Sequence, residues 1–501
     1  MGRGIVQLFA QSGFAVVLHD ARPEAADAAR SAVGGALGML ADKGRLTRAQ
    51  ADAAMARMTT AVALAGLSDC DVVIEAVLEN LDVKKRLFAE LESIVAPGAI
   101  LATNTSSLPV TAIAAACKAP QRVAGYHFFN PVPLMKVVEV IRGVRTDEAT
   151  VATLMALTGL TGHAPVLAQD TPGFLINHAG RAYGTESLKL VGEGVADFHT
   201  VDRILREQVA FDGNGFRLGP FELLDLTGVD VSHPVMESIY RQFYDEPRFR
   251  PSVIIAQRAA AGLFGRKTGE GFYRHVDGRQ QTPPEAVPEP APAGSAAPFA
   301  RVWVGPGPQQ QALRELVEAL GATPDEGSFP LDDSLAVIAP LGFDATTLVV
   351  EDGLPAARTV AIDTLFPFGA RACRRRVLMG TPAVAPELAG AARRLFAGDG
   401  VPVSWLRDSA GFVAQRVVAM IVAIACEIAQ QRIASPADID LAVRLGLGYP
   451  LGPLTMGDRL GPATVASILE AMAAVTGDPR YRPSLWLQRR ARLGLSLLHE
   501  D

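Results

Sequence analysis

The sequence predicts an α/β doubly wound sheet domain, then an all-α domain, then a degenerate second copy of both. Three observations carry this reading. Residues 1–168 alternate short β-branched runs with longer helical ones, the pattern of a parallel sheet covered by helices on both faces. From Thr171 to Tyr273 the strand signal disappears, leaving helices punctuated by Gly-Pro. Peptides of the first half then return in the same order in the second, which indicates duplication. DTPGFLIN at Asp170–Asn177 reappears as DSAGFVAQ at Asp408–Gln415, TVDR at Thr200–Arg203 parallels ADID at Ala437–Asp440, and LGPFELLD at Leu218–Asp225 parallels LGPLTMGD at Leu451–Asp458.

In order, the first sheet domain reads as strands over Ala15–His19, Val72–Ala76, Ile100–Thr103, Arg122–His127 and Lys136–Ile141. Helices are expected over Gly4–Ser12, Arg22–Lys43, Thr47–Met58, Lys84–Ile94 and Thr150–Leu160. The pair joined at Lys43-Gly44 would form a helical hairpin. A helical domain follows over 169–279, and a Pro/Ala-rich segment at 280–298 has no periodicity and reads as a linker. The second sheet domain, 299–405, takes strands at Arg301–Val304, Leu335–Ala339, Thr346–Val350, Thr359–Ile362 and Arg376–Met379. A second helical domain fills 406–501.

At 501 residues the chain is too long for one core and on length alone divides into roughly three or four domains. Its 47 basic and 53 acidic residues are mixed along the chain, so neither a nucleic-acid surface nor an acidic interaction tail is indicated. The most apolar stretch, Val413–Ala429, is broken by Gln415, Arg416 and Glu427, and reads as a buried helix rather than a membrane span. Four dispersed cysteines without a CxxC pair argue against disulfides or structural zinc and fit a reducing compartment. The N-terminus lacks signal-peptide grammar, so cytoplasm is the expected location.

Gly2-Arg3-Gly4-Ile5 opens an apolar helix, and Phe14–His19 forms a strand that Asp20 ends. A dinucleotide site needs a Gly-rich turn at a helix N-terminus for the pyrophosphate and an acidic residue at the second strand's end for the ribose. The spacing from Gly2 to Asp20 suits the last glycine of such a fingerprint, so this Rossmann-like motif reads as lacking its first strand and first two glycines. Either the assigned start lies too far downstream or the loss is genuine. An Asp at position 20 favours NAD over NADP, although a strand-terminal Asp before Ala-Arg-Pro is also an ordinary helix cap. Glu75 and Glu79 lie at and just after the end of the next strand, on the side that faces the nicotinamide half, with a plain solvated carboxylate as the alternative for either.

Three segments carry catalytic chemistry: Thr103-Asn104-Thr105-Ser106-Ser107-Leu108 at a strand's carboxyl end, HFFNPVPLMKVVEV at His127–Val140, and Asp170–Asn177. If the strands holding His127 and Glu139 pair antiparallel, imidazole and carboxylate meet, and the acid orients the base. A lone His after a strand is commonly a satisfied core residue. A Glu in a hydrophobic strand is harder to place without a partner, because burying an unpaired carboxylate is costly.

With NTSSL, VIEAVLENLDVKK, DTPGF and GPFELLD, the HFFNPVPLMKVVEV run resembles the 3-hydroxyacyl-CoA dehydrogenases from Met1 to Tyr273, and Asp408–Asp458 resembles that family's C-terminal region. The two-copy layout resembles the bacterial dehydrogenases of phenylacetate catabolism that act on 3-hydroxyadipyl-CoA. The resemblance implies NAD as cofactor and a coenzyme A thioester as substrate. His127 would take the hydroxyl proton, Glu139 would orient it, and Ser106 and Asn177 would hydrogen-bond the substrate. It also implies cofactor contacts from Gly2, Asp20, Glu79, Lys84, Asn104 and Ser106, and a coenzyme A phosphate contact from Lys43. Strand-end turns for Ser106, a helix-start polar residue for Asn177 and a solvated helix terminus for Lys43 remain alternatives.

The second copy departs from the pattern. Gln415 stands where the first copy has Asn177, no His-bearing segment precedes it, and GPGP at Gly305–Pro308 removes N–H groups from any phosphate cradle. That half is expected to be catalytically silent, and to stand in for a subunit contact, making the chain an internal pseudo-dimer or a homo-oligomer. An acyl-CoA-binding pseudoenzyme is the alternative function.

Overall fold

The computed structural model describes residues 1–285, 299–369 and 373–501. By contact it divides into two compact units, Met1–His178 with Gln431–Leu447, and Ala179–Gln430 with Gly448–Asp501. A segment of the second copy therefore belongs to the unit built by the first sheet domain.

In the first unit α1 (Gly2–Gln11) turns at Gly13 into β1 (Val16–His19), and α2 (Pro23–Asp42) and α3 (Arg48–Ala56) form the expected hairpin. The helix predicted to reach Met58 stops earlier, and Met58–Ala61 is instead β2, paired parallel with β1. The order continues β3 (Val72–Glu75), α4 (Leu81–Ile94), β4 (Ile100–Thr103), α5 (Val110–Ala114), β5 (Val123–Phe128), β6 (Val137–Arg142), α6 (Glu148–Leu160) and β7 (Ala164–Gln169). The strand β7 has too weak a periodicity to be read from sequence, because it starts Ala-Pro and is only half covered.

Strands β3 to β7 form one five-stranded sheet in sequence order, parallel except that β6 runs against β5. β1 and β2 form a separate pair, and among the described residues no strand stands between β1 and β3. Side chains alternate between the two faces, as the pleat requires. Ile100, Ala102, Tyr126, Phe128, Val138 and Val140 pack under α1 and α6. Leu101 and Val123 face the opposite way, against Phe88 and Leu91 of α4.

A first helical block follows: α7 (Ile176–Ala179), α8 (Arg181–Gly192), α9 (Phe198–Glu207), α10 (Pro220–Thr227), α11 (Val229–Gln242) and α12 (Val253–Ala260). The linker predicted at 280–298 begins later than expected. Arg279–Gln281 (β9) hydrogen-bonds back to Arg274–Val276 (β8), and Glu285 is ion-paired to Arg375 at 2.5 Å. The remainder of that expectation, 286–298, lies outside the described residues.

The second sheet runs β10 (Arg301–Val304), α13 (Gln310–Ala319), β11 (Thr323–Asp325), β12 (Ser334–Ile338), α14 (Ala345–Glu351), β13 (Thr359–Ile362), β14 (Arg376–Gly380), α15 (Pro386–Phe396) and β15 (Val403–Arg407), with strand order β11-β10-β12-β13-β14-β15. Here Thr346–Val350, expected as a strand, is helix α14. Asp344 caps it by accepting the Thr347 N–H at 2.6 Å, and the cap outweighs the β-branched run.

The last block holds α16 (Ala414–Gln430), α17 (Pro436–Leu447), α18 (Pro453–Leu460), α19 (Pro462–Thr476) and α20 (Leu485–Leu493). Helix α16 is buried nearly end to end, as its composition demands. No described helix is long and apolar enough to cross a membrane. The four cysteines are free thiols.

The duplication is visible in matched hydrogen bonds. Asp170 accepts the N–H groups of Val110 and Thr111 at the start of α5; Asp408 accepts those of Ala345 and Thr346 at the start of α14. Asp197 caps α9 through Thr200 N–H, and Ser435 caps α17 through Asp438 N–H. These caps shift the sequence alignment by one residue, setting Thr200–Arg203 against Asp438–Leu441 rather than Ala437–Asp440. Within the second unit the two helical blocks meet across α8 and α16. Buried Glu186 accepts Arg416 at 2.7 Å and the Tyr481 hydroxyl at 2.7 Å, and faces Arg480 at 3.3 Å.

Removing the acid leaves buried Arg416 with Glu193 as its remaining carboxylate, at 2.8 Å, and buried Arg480 with Asp478 at 3.9 Å. Glu186→Ala is expected to lower the unfolding free energy by about 3–5 kcal/mol, the range for one partner of a buried pair. Denaturant titration measures it; a loss below about 1 kcal/mol, as for an exposed pair, would show that the cluster is not what holds α8 to α16.

Candidate active site

The site starts from strand register. β5 and β6 pair so that His127 lies directly opposite Glu139, and cross-strand partners project from the same face. The contact expected from sequence is present: His127 Nδ1 is 2.5 Å from Glu139 Oε2. Glu139 is fully buried, so its second oxygen needs donors as well. They are the backbone N–H groups of Leu175 at 3.0 Å and Ile176 at 2.7 Å. Gly173 and Phe174, both at positive φ (77° and 51°), turn the chain so that these two amides face the carboxylate.

This arrangement assigns the proton on the ring. A carboxylate only accepts, so Nδ1 donates to Glu139 and Nε2 is left as the acceptor. Nε2 has no hydrogen bond to a described residue and is not sealed from solvent. The ring is braced by Phe129 and Phe174, at centroid distances of 4.4 and 5.9 Å.

A second charged group stands at the neighbouring strand ends. The ammonium of Lys84, itself buried, lies 2.6 Å from Glu75 and 3.3 Å from Glu79. Glu75 also accepts the Thr103 hydroxyl at 2.7 Å and the Val77 N–H at 2.7 Å. Glu79 Oε1 accepts the Thr105 hydroxyl at 2.7 Å and the backbone N–H groups of Ser106 and Ser107 at 2.9 and 3.1 Å. Glu79 thereby pins the loop that presents Ser106. Burial alone would raise its carboxyl pKa, but the Thr105 hydroxyl, the Lys84 charge and the Ser106 amide outweigh this and hold it below the usual carboxylate range.

Asn104 bridges the two groups: its Oδ1 accepts the Phe128 N–H at 2.8 Å, tying the end of β4 to β5 beside His127. Asn177 follows the Leu175–Ile176 amides directly, on α7. Lys43 sits exposed at the C-cap of α2, with no hydrogen bond or ion pair to the other site residues. The sequence reading left Glu75, Thr103 and the two backbone amides without roles. Glu75 was visible as an acid ending a β-branched run, but amides carry no sequence signal.

The residues at the other end fit a dinucleotide. The Gly13 turn (φ 96°) sends β1 back along α1, so the start of α1 and the end of β1 share an edge. The first turn of α1 has no side-chain cap and Gly2 has open space where a Cβ would stand, leaving its N–H groups available to a phosphate. Asp20, exposed at the end of β1, accepts the Arg22 N–H at 3.0 Å and keeps acceptor capacity for ribose hydroxyls.

The second copy holds a buried acid in the position of His127. Thr103 and Ile338 end equivalent strands and pair with Gly125 and Ala361, so Asp363 takes the position of His127; its N–H reaches Val377, which takes that of Glu139. Gln415 donates to Asp363 at 2.9 Å and to the Pro340 carbonyl at 3.0 Å. Gln208 lies beside the carboxyl out of hydrogen-bonding geometry, and Asp363 Oδ2 is buried without a partner among the described residues. Burial raises the Asp363 pKa above its ordinary value despite the Gln415 and Leu365 donors.

The chain is similar to known proteins along nearly its whole length. The family model described as "3-hydroxyacyl-CoA dehydrogenase, NAD binding domain" matches residues 1–171, and that of the same family's C-terminal domain matches 173–275 and 411–496. The chain is 36% identical to the 3-hydroxyadipyl-CoA dehydrogenase of Escherichia coli K12, over 98% of this chain and 96% of that protein. The crystal structure of 3-hydroxybutyryl-CoA dehydrogenase from Escherichia coli K12 is similar with a TM-score of 0.83 at 34% identity, covering 98% of this chain and 96% of that one. The (S)-3-hydroxybutyryl-CoA dehydrogenase structure from Ralstonia eutropha covers 55% of this chain and 96% of its own, with a TM-score of 0.53 at 36% identity.

Two pH-dependent outcomes follow from these carboxyls. Glu79, with a depressed pKa, contributes stability that is present above about pH 4.3 and is lost as pH falls through its lower folded value. Protection of the amides across residues 105–108, relative to their intrinsic exchange at each pH, is expected to fall in that acidic window, and Glu79→Gln to lower it at neutral pH; equal protection in the variant would remove the pinning role. Asp363, with a raised pKa, contributes stability that is full below about pH 3.9 and lost as pH rises toward the folded value. Asp363→Asn keeps the acceptor for Gln415 and can donate to Gln208, so its Tm should exceed the parent's at pH 8 and converge with it near pH 4. A lower Tm at pH 8 would mean that the carboxylate is satisfied as an anion.

Proposed function

Because this chain belongs to the 3-hydroxyacyl-CoA dehydrogenase family, we propose that His127 and Glu139 are the acid–base pair with which it oxidises (S)-3-hydroxyacyl-CoA to 3-oxoacyl-CoA. The register-locked pair with an accessible Nε2 carries this reading. NAD is the cofactor and, when bound, accepts the hydride from C3 of the substrate. His127 Nε2 takes the hydroxyl proton of the substrate. The imidazolium so formed faces a carboxylate already in place, so no side chain need reorganise as charge appears. Ser106 and Asn177 hydrogen-bond the substrate oxygens, Ser106 at a height set by Glu79.

Gly2 and Asp20 hold the pyrophosphate and adenosine-ribose end, and Asn104, Glu79 and Lys84 shape the nicotinamide side, Lys84 acting through Glu79. Lys43 is the candidate for a coenzyme A phosphate. By analogy with the names of the Escherichia coli relatives we read the acyl group as 3-hydroxyadipyl or 3-hydroxybutyryl, and the reaction as a step of phenylacetate or fatty-acid catabolism. We further read the chain as linear domains 1–168, 169–279, 299–405 and 406–501, as a cytoplasmic protein, and as an internal pseudo-dimer. The intact pair stands against an acyl-CoA-binding pseudoenzyme.

NADH formation followed by absorbance over a panel of 3-hydroxyacyl-CoA esters tests the reading, and a C6 dicarboxylic or C4 ester should be turned over fastest. His127→Gln should lower kcat by about 10²–10⁴ with little change in Tm. Turnover at the parent's rate would remove His127 as the base.

A further inference from the structure

The two copies exchange helices. Within the first unit, the Gln169 N–H at the end of β7 donates to the Ile433 carbonyl at 2.8 Å, and α17 packs on β6 and β7. Within the second, the Arg407 N–H at the end of β15 donates to the Val195 carbonyl at 3.1 Å, just before α9. These are mates under the duplication, since Gln169 and Arg407 each precede the matched Asp, and Ile433 and Val195 precede the matched caps. The same alignment sets Gly446 of α17 against Gln208 at the C-cap of α9. Gln208 stands beside Asp363, the residue in the position of His127.

Gly446 stands against Ile176. A Cβ built on Gly446 would lie 2.7 Å from Ile176 Cδ1, with two more carbons of the same side chain at 3.2 and 3.3 Å. Real Cβ atoms do not approach carbon that closely, so any residue other than glycine must displace Ile176. Ile176 is buried, and its N–H is one of the two donors to Glu139 Oε1. Contact therefore runs from α17 through Ile176 to Glu139 and on to His127.

We infer that helix α17 of the second copy is a positioning element of the first copy's catalytic pair, with Gly446 as the residue that lets Ile176 seat its amide on Glu139. The copy without acid–base chemistry is thus required by the copy that has it. This rests on the reading of His127 and Glu139 given above. A complementary pattern supports it: the match to the NAD-binding domain ends at residue 171, while the C-terminal domain match returns over 411–496, the stretch that contains α17.

The full chain carrying Gly446→Val, and Gly446→Ala as the milder change, tests this against the parent. Gly446→Val should lower kcat by roughly ten- to a hundredfold, as expected for a displacement of about 1 Å at a reacting group. The NAD Kd should stay within about twofold, and Gly446→Ala should fall between. Ile176→Ala placed in the Gly446→Val chain should restore most of the loss, which a merely structural defect would not allow. Hydrogen exchange at the Leu175 and Ile176 amides should quicken in Gly446→Val, whether or not any thioester is turned over. Parent-like exchange at those amides, or a kcat loss that Ile176→Ala does not relieve, overturns the inference. Absence of turnover in the parent with quickened exchange in the variant would instead overturn the functional reading and leave the role of α17 in seating the amides standing.

Discussion

Everything at the first site depends on one carboxylate buried in the middle of a sheet. Glu139 is fully excluded from solvent, and an anion there persists only if both oxygens are satisfied. One oxygen takes the imidazole of the facing strand and the other takes two amides from the turn after β7. The same group therefore fixes the tautomer of the imidazole, locks the β5–β6 register and anchors the segment carrying Asn177. Slipping that register by one residue would send Glu139 to the opposite face, where the apolar side chains of α1 and α6 offer no donors.

The Lys84 cluster solves a related problem differently. Two carboxylates, Glu75 and Glu79, converge at strand ends, and a buried ammonium between them removes their repulsion. What remains of Glu79 is acceptor capacity, all of it directed at the loop that holds Ser106. The second copy shows the outcome without such compensation. Asp363 occupies the position of His127 with the amide of Gln415 on it and no cation paired with it among the described residues, and burial raises its pKa above the ordinary carboxylate value.

The sequence made the chemistry more legible than its supports. The His127–Glu139 contact could be read because strand separation, antiparallel pairing and the cost of a lone buried Glu all pointed to it. The double layout was readable from repeated peptides, though the helix caps were needed to correct its register at Thr200–Arg203. Strands such as Met58–Ala61 and Ala164–Gln169 were missed because they are short and lie against parallel neighbours or are half covered, leaving no alternation to detect. Thr346–Val350 was misread because a β-branched run outvoted a single capping Asp. Backbone donors such as Leu175 and Ile176 have no side-chain signature, so their role emerges only from the fold.

Duplication in one chain permits an asymmetry that two identical subunits cannot have. In a symmetric pair, each change to a surface that supports the neighbour's site is also a change to the site it supports. Once the copies are joined, one sheet can lose its acid–base residues while its attached helix continues to brace the other. The matched bonds Gln169–Ile433 and Arg407–Val195 show that both exchanges of helices persist, although His127 of the first sheet has Asp363 as its counterpart in the second. Selection on the first site would then act on α17 and not on the strands around Asp363. That accounts for a second half which keeps the family's helical pattern and has let go of its cofactor-binding one.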